Sequence, residues 1–292
     1  MGEVIGSIGE DGRFRIWQED VLEVPKSGRR FRQIYNQISE TKVPFMSLDF
    51  KNVPAETYVA LATRDGYLTV LEPVNQDNLT EWQSMHGHYL CHTPPRQEES
   101  AFKVCFHREL YPSWASVNDG GDEKTLSLAV AAMDTVKIFR TGKDRRFYQA
   151  AELTGARNLV RDIAWANGSH RGFDTLATAS KDGCVRIYEI HTEKSRPGSE
   201  TAVASASLEP PVNENQSNTT RQTLSGIGAG LASSSGQQIY REPKATPGRP
   251  KEIVTVVAEI NPHSGALWRV AFSQSGMLLN HLLAIAKLTH DR

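Results

Sequence analysis

Four residues of metal-binding type crowd one short stretch: His86, His88, Cys91 and His92. Imidazole nitrogen and thiolate sulfur are zinc ligands, and a stable zinc site usually assembles separated ligand pairs that the fold brings together. No second cluster occurs in this sequence, so the stretch reads as a polar loop with no metal. Gly226-Ile227-Gly228-Ala229-Gly230 resembles a phosphate-cradling loop only superficially. It lacks the third glycine at the right offset, a preceding strand, and the Lys-Ser/Thr that would meet phosphate and magnesium. The basic run from Lys143 to Arg146 reads as a solvated hairpin tip rather than a nucleic-acid patch. Asp11, Asp65, Asp134 and Asp182 are candidate acid–base carboxylates, but Asp in this setting hydrogen-bonds its own turn backbone. No Ser-His-Asp set and no paired carboxylates stand out. The expectation is a chain with no catalytic, cofactor-binding or metal-ligating residue, and so not an enzyme.

Those aspartates lead to the elements that hold them. Each sits in one repeated phrase: a small or apolar lead-in, an Asp turn, then a β-rich run ending on a bulky residue. The copies run Ile8 to Trp17, Ala62 to Leu71, Ala132 to Phe139 and Ala179 to Tyr188. Asp-Gly between strand-like runs is a strong hairpin signal, because the turn needs positive φ where glycine is cheap. From turn Asp to terminal bulky residue the spacing is 6 in three copies (11 to 17, 65 to 71, 182 to 188) and 5 in the other (134 to 139), where Asp-Thr replaces Asp-Gly. The turns step by 54, 69 and 48 residues. This exceeds the roughly 40–45 of a WD-type propeller blade and implies inserted loops.

A second phrase precedes the turns. Phe45 to Phe50, Phe102 to Phe106, Val160 to Trp165 and Trp268 to Phe272 each end on an aromatic, with mostly alternating apolar residues. They read as inner blade strands, with Trp165 and Trp268 buried between sheets. Arg30 to Ile38, Thr80 to Ser84, Phe147 to Leu153 and Glu252 to Ile260 follow the turns and read as outer strands. The expected fold is therefore an all-β, WD-repeat β-propeller that is partial and open: about half a blade, three full blades and the start of another. The chain begins inside a strand, at Val4 to Ser7, and Phe272 to Gly276 starts a blade whose Asp turn never comes. Leu278 to Leu288 is apolar but without blade character, and too short for a membrane span of about 20 residues.

Composition narrows the function classes. With 33 basic against 34 acidic residues the net charge is −1, which favours neither nucleic acid nor an anionic membrane. Met1 to Trp17 has no basic segment followed by an apolar core, so no signal peptide is expected. Three cysteines, Cys91, Cys105 and Cys184, read as reduced thiols of an intracellular compartment. From Thr192 to about Pro250 the chain is rich in Ser, Thr, Gly, Pro, Asn and Gln. Such a segment cannot bury enough apolar area to offset an ordering cost of about 1–2 kcal/mol per residue. It reads as a disordered insertion (residues 192–250) between propeller parts at 1–191 and 251–279, with a tail at 280–292. Cys91 to Ser100 and Ser116 to Lys124 read as shorter surface insertions.

The ordered set of phrases carries a more specific resemblance. Glu10 to Glu19, Val130 to Phe139, Val160-Arg161-Asp162-Ile163-Ala164-Trp165-Ala166, Ala179 to Tyr188 and Leu267-Trp268-Arg269-Val270-Ala271-Phe272-Ser273 resemble the Sec-thirteen-homologue nucleoporins in their fungal form. The resemblance runs from about residue 3 to 279, interrupted by the Ser/Gly-rich insertion, which fungal members also carry. Each phrase alone is generic for WD repeats; their order is the specific part. The related vesicle-coat subunit of the endoplasmic reticulum shares the general pattern.

The resemblance implies a scaffold subunit of the Y-shaped nuclear pore subcomplex, at the nuclear envelope, supporting nucleocytoplasmic and mRNA transport. It also implies a place in a vacuole-associated coat that regulates nutrient signalling. Family members form an open six-bladed propeller completed by a blade from a helical-solenoid nucleoporin; no nucleic acid and no membrane insertion are implied. This chain departs at both ends, where the family has a leading blade and a half and a completed last blade. Partner binding is the function those departures touch, because the partner's blade enters between the first and last blades. The alternative reading is another WD-repeat adaptor, such as a vesicle-coat subunit or a ubiquitin-ligase substrate receptor, with a ligand pocket on the top face. A propeller hydrolase would need clustered ionisable groups at the central channel.

Overall fold

The computed structural model describes residues 3–109, 113, 125–167, 172–192, 252–261 and 264–272, and the backbone of 282–285. The expected insertions at 116–124 and 193–250, the glycine run at 226–230 and the blade start at 273–276 lie outside the described residues.

Every described element is a strand. The first sheet is β1 (Val4–Ile8), β2 (Arg13–Glu19) and β3 (Phe31–Ile38). The second is β4 (Phe45–Val53), β5 (Glu56–Thr63), β6 (Tyr67–Asn75) and β7 (Asn78–Tyr89). The third is β8 (Phe102–Phe106), β9 (Ser127–Ala132), β10 (Thr135–Thr141) and β11 (Phe147–Leu153). The fourth is β12 (Val160–Trp165), β13 (Asp174–Ser180), β14 (Val185–Thr192) and β15 (Glu252–Ile260). All are antiparallel meanders in chain order, and a two-stranded sheet of β16 (Arg269–Phe272) and β17 (Leu282–Ile285) follows. The inner strands β4, β8, β12 and β16 pack on one another in sequence, which is the radial stacking of propeller blades. The propeller is open: among the described residues β1 has no strand on its inner side.

Stacked sheets bury both faces, and period-two alternation then sends neighbouring residues into different cores. Leu128, Val130 and Ala132 of β9 join the core between the second and third sheets, while Ala129 and Ala131 join the core between the third and fourth. In the same way Ala60 and Ala62 of β5 face the third sheet, and Val59 and Leu61 face the first. The middle strands are therefore largely buried, and β9 is buried along its whole length, Ser127–Ala132.

The turns explain both the repeat and its exception. Gly12, Gly66 and Gly183 take φ of 69°, 84° and 84°. Their N–H groups donate to the carbonyls of Gly9, Thr63 and Ser180 at 3.1, 3.0 and 3.2 Å. These are three-residue loops, a type I turn closed by a left-handed glycine. The copy at Asp134 is instead a two-residue loop, with Ala132 paired directly to Thr135 and Met133 at a φ of 62°. One residue fewer in the loop gives the spacing of 5.

A regularity not read from the sequence sits at the end of each phrase. The ladder between the last two strands of each of the first four sheets slips between Ile16 and Trp17, Val70 and Leu71, Ile138 and Phe139, and Ile187 and Tyr188. Each slip leaves one extra residue on the outer strand: Ile34, Met85, Ala150 and Val257. A bulge on an edge strand bends it away from edge-to-edge pairing.

Two expectations need correction. The apolar stretch Leu278 to Leu288 does enter a sheet: Leu282–Ile285 pairs antiparallel with β16, Arg269 opposite Ile285. The reason is that β16 offers an unsatisfied edge and a Leu/Ile run has the β-propensity to use it. Trp165 is buried at 3 % exposure, but Trp268 is 41 % exposed, because it precedes β16 rather than lying within it. The Arg161 guanidinium covers one face of its ring at 3.7 Å.

Candidate interaction surface

Half of the candidate metal cluster lies on a strand: Cys91 and His92 fall in the connector after β7, but the first two histidines do not. His86 and His88 lie on β7, two residues apart and so on one face, with rings 4.6 Å apart. They pack against the third sheet, His86 against Phe147 at 5.3 Å and His88 against Phe139 at 5.2 Å. For these two residues the polar-loop expectation is corrected: stacking sheets turn their strand face toward the third sheet and partly bury it. Burial drives both imidazoles down to about 4, so they are neutral near pH 7. Cys91 follows the strand, and burial raises its thiol to about 11. Among the described residues no three His, Cys, Asp or Glu side chains stand together as a metal site.

The turn aspartates act on their turns. Asp11 Oδ1 accepts from Arg13 N at 3.1 Å, and Asp182 Oδ1 accepts from Cys184 N at 3.0 Å. Asp65 receives the hydroxyls of Thr41, Thr63 and Tyr89. The Lys143–Arg146 run is the hairpin tip between β10 and β11, as expected. Arg145 pairs there with Glu56 and Glu72 and donates to Tyr58 Oη, which ties the third sheet to the second.

Between blades, polar groups act as staples. Ser47 Oγ accepts from Val104 N at 3.2 Å, Asp49 Oδ2 from Phe106 N at 2.8 Å, and Asp162 Oδ2 from Val270 N at 3.1 Å. Trp165 Nε1 donates to Cys105 O at 2.9 Å. Lys51 Nζ donates to His107 O at 2.6 Å, and burial lowers its ammonium to about 8. The strongest staple is Arg140, 1 % exposed. Its guanidinium meets Glu252 at 2.9 Å, Asp174 at 2.7 Å and Ser113 Oγ at 2.6 Å. These groups hold neighbouring sheets together through polar contacts made across each blade interface. Arg140 was missed in the sequence because its partners lie 34 and 112 residues away.

No family model matches the chain. Curated relatives do. Nucleoporin SEH1 of Chaetomium thermophilum is 29% identical over 307 aligned residues, covering 81% of this chain and 57% of that protein. Nucleoporin SEH1 of Saccharomyces cerevisiae is 25% identical, covering 96% of this chain and 72% of that protein.

This chain resembles the SEH1 nucleoporins.

The Schizosaccharomyces pombe relative seh1 is 32% identical over 46% of this chain and 36% of its own length. The chain spans a little over half the length of the Chaetomium relative. Among solved structures, Saccharomyces cerevisiae Sqt1 aligns at a TM-score of 0.44 and 11% identity, over 64% of this chain and 42% of that one. The blade assignment rests instead on the sheets themselves.

Proposed function

We propose that the chain is a non-catalytic scaffold subunit of the nuclear pore complex, located at the nuclear envelope and supporting nucleocytoplasmic and mRNA transport. The observation that carries this reading is the similarity to fungal SEH1 nucleoporins along 81% and 96% of the chain. The stacked sheets support it, since they present strand edges and faces that a partner can cover. The partner is a helical-solenoid nucleoporin that completes the propeller with a blade of its own. Strand addition to an unsatisfied edge is the physical basis, and β1 offers such an edge. A second location, a vacuole-associated nutrient-signalling coat, belongs to the same reading.

The test is localisation and co-purification. A fluorescent fusion in a fungal cell is expected at the nuclear rim, and a tagged chain is expected to recover a helical nucleoporin. Diffuse fluorescence together with no recovered nucleoporin refutes the reading and favours another WD-repeat adaptor.

A further inference from the structure

The connector from β7 to β8, residues 90–101, is a strap over the third sheet. Its carbonyl at Arg96 accepts from Arg64 Nη2 at 2.8 Å, on the second sheet's turn. Its Glu99 carboxylate is held by Arg161 and by Lys181, the latter at 2.5 Å, both on the fourth sheet. The strap is therefore anchored to the blade on either side of the one it crosses. Between it and the third sheet lies a cleft of about 410 Å³. This is within the range of about 300–1,000 Å³ for ligand sites.

The cleft opens where the repeat is broken. In the other blades a three-residue loop occupies this position; here the loop is only Met133-Asp134. The Met133 backbone is committed on both sides, its N–H to Ala101 O at 3.0 Å and its C=O to Val160 N at 2.7 Å. The apolar part of its lining is Leu90, Pro94, Pro95, Ala132 and Met133. Glu98, Asp134 and Glu152 add three carboxylates against one ammonium, Lys137, whose Nζ already donates to Leu90 O at 2.6 Å. Apolar walls with surplus negative charge complement a long aliphatic stem that carries a cation.

We propose that this cleft is a docking site for an arginine or lysine side chain presented by an extended segment of a partner protein. The stem packs between Pro95 and Met133 while the cation meets Glu98 and Asp134. The inference rests on the cleft alone and stands whichever complex the chain joins.

The probe is a fluorescein-labelled nonapeptide of alanine and serine with a central arginine, read by anisotropy against the full chain. A matched peptide carries norleucine at the centre. The arginine peptide is expected to bind at least tenfold more tightly, and to weaken as salt rises. Glu98→Gln with Asp134→Asn is expected to remove that preference, and Met133→Lys to remove binding by placing an ammonium at the mouth. Thermal transitions of the variants, measured alongside, exclude misfolding as the cause. Equal binding of the two peptides, an arginine preference that survives Glu98→Gln with Asp134→Asn, or no binding at millimolar peptide overturns the proposal.

Discussion

Replacing Arg140 with methionine removes the guanidinium and keeps most of its aliphatic volume. Arg140 is 1 % exposed, and its ion-pair partners Asp174 and Glu252 are 4 % and 5 % exposed at their side chains. The guanidinium also lies 5.5 Å from the Trp165 ring. In Arg140→Met, two buried carboxylates lose their shared cation. Breaking a buried pair in this way typically costs about 3–5 kcal/mol, because the remaining charges keep their desolvation cost and lose the cation that offset it. The expected result by urea unfolding is a loss in that range, with the slope of the transition unchanged. Replacing the whole cluster, Arg140→Met with Asp174→Leu and Glu252→Leu, is expected to recover most of the loss, since no buried charge is then left alone. A loss below about 1 kcal/mol for the single variant would show that water or another group already compensates these carboxylates. A triple variant less stable than the single one would refute the argument, because the guanidinium's value would then lie in packing rather than charge balance.

The two tryptophans separate in the same assay. Trp165→Ala is expected to cost about 3–5 kcal/mol, as a buried ring with a hydrogen-bonded indole N–H. Trp268→Ala is expected to cost about 1 kcal/mol, mainly its stack with Arg161. His86, His88 and His107 all fall to about 4 by burial. An unfolded histidine titrates near 6.5, so between about pH 6.5 and 4 the unfolded state binds more protons. Stability is therefore full above about pH 6.5 and falls as pH drops through that window, by up to about 1.4 kcal/mol per pH unit for each group. His86→Phe with His88→Phe is expected to flatten the pH profile measured by thermal melts. Removing residues 193–251 in favour of a short turn is expected to leave the melting temperature nearly unchanged, because the flanking Thr192 and Glu252 are already paired across β14 and β15. Limited proteolysis of the intact chain is expected to cut first within that segment, whose composition cannot supply a core.

The blade series was legible because its signals are local. A turn that needs positive φ selects glycine at Gly12, Gly66 and Gly183, and a strand buried on both faces alternates between two cores rather than between core and water. What escaped the sequence depends on the neighbouring sheet. His86 and His88 have polar letters, and only the arrival of Phe139 and Phe147 makes their strand face interior. Trp268 has the letter of a core residue, yet it lies outside its strand and keeps one ring face for Arg161. The outer-strand bulges at Ile34, Met85, Ala150 and Val257 leave no residue signature in common, because a bulge is a property of the pairing and not of the residue inserted. The missing residue at Asp134 was visible as a spacing of 5 among spacings of 6. Its meaning was not, since the cleft it opens is closed by a strap whose anchors come from the second and fourth sheets. In a repeat protein the shared pattern specifies the blade, and the copy that departs from it is where a surface of its own can form.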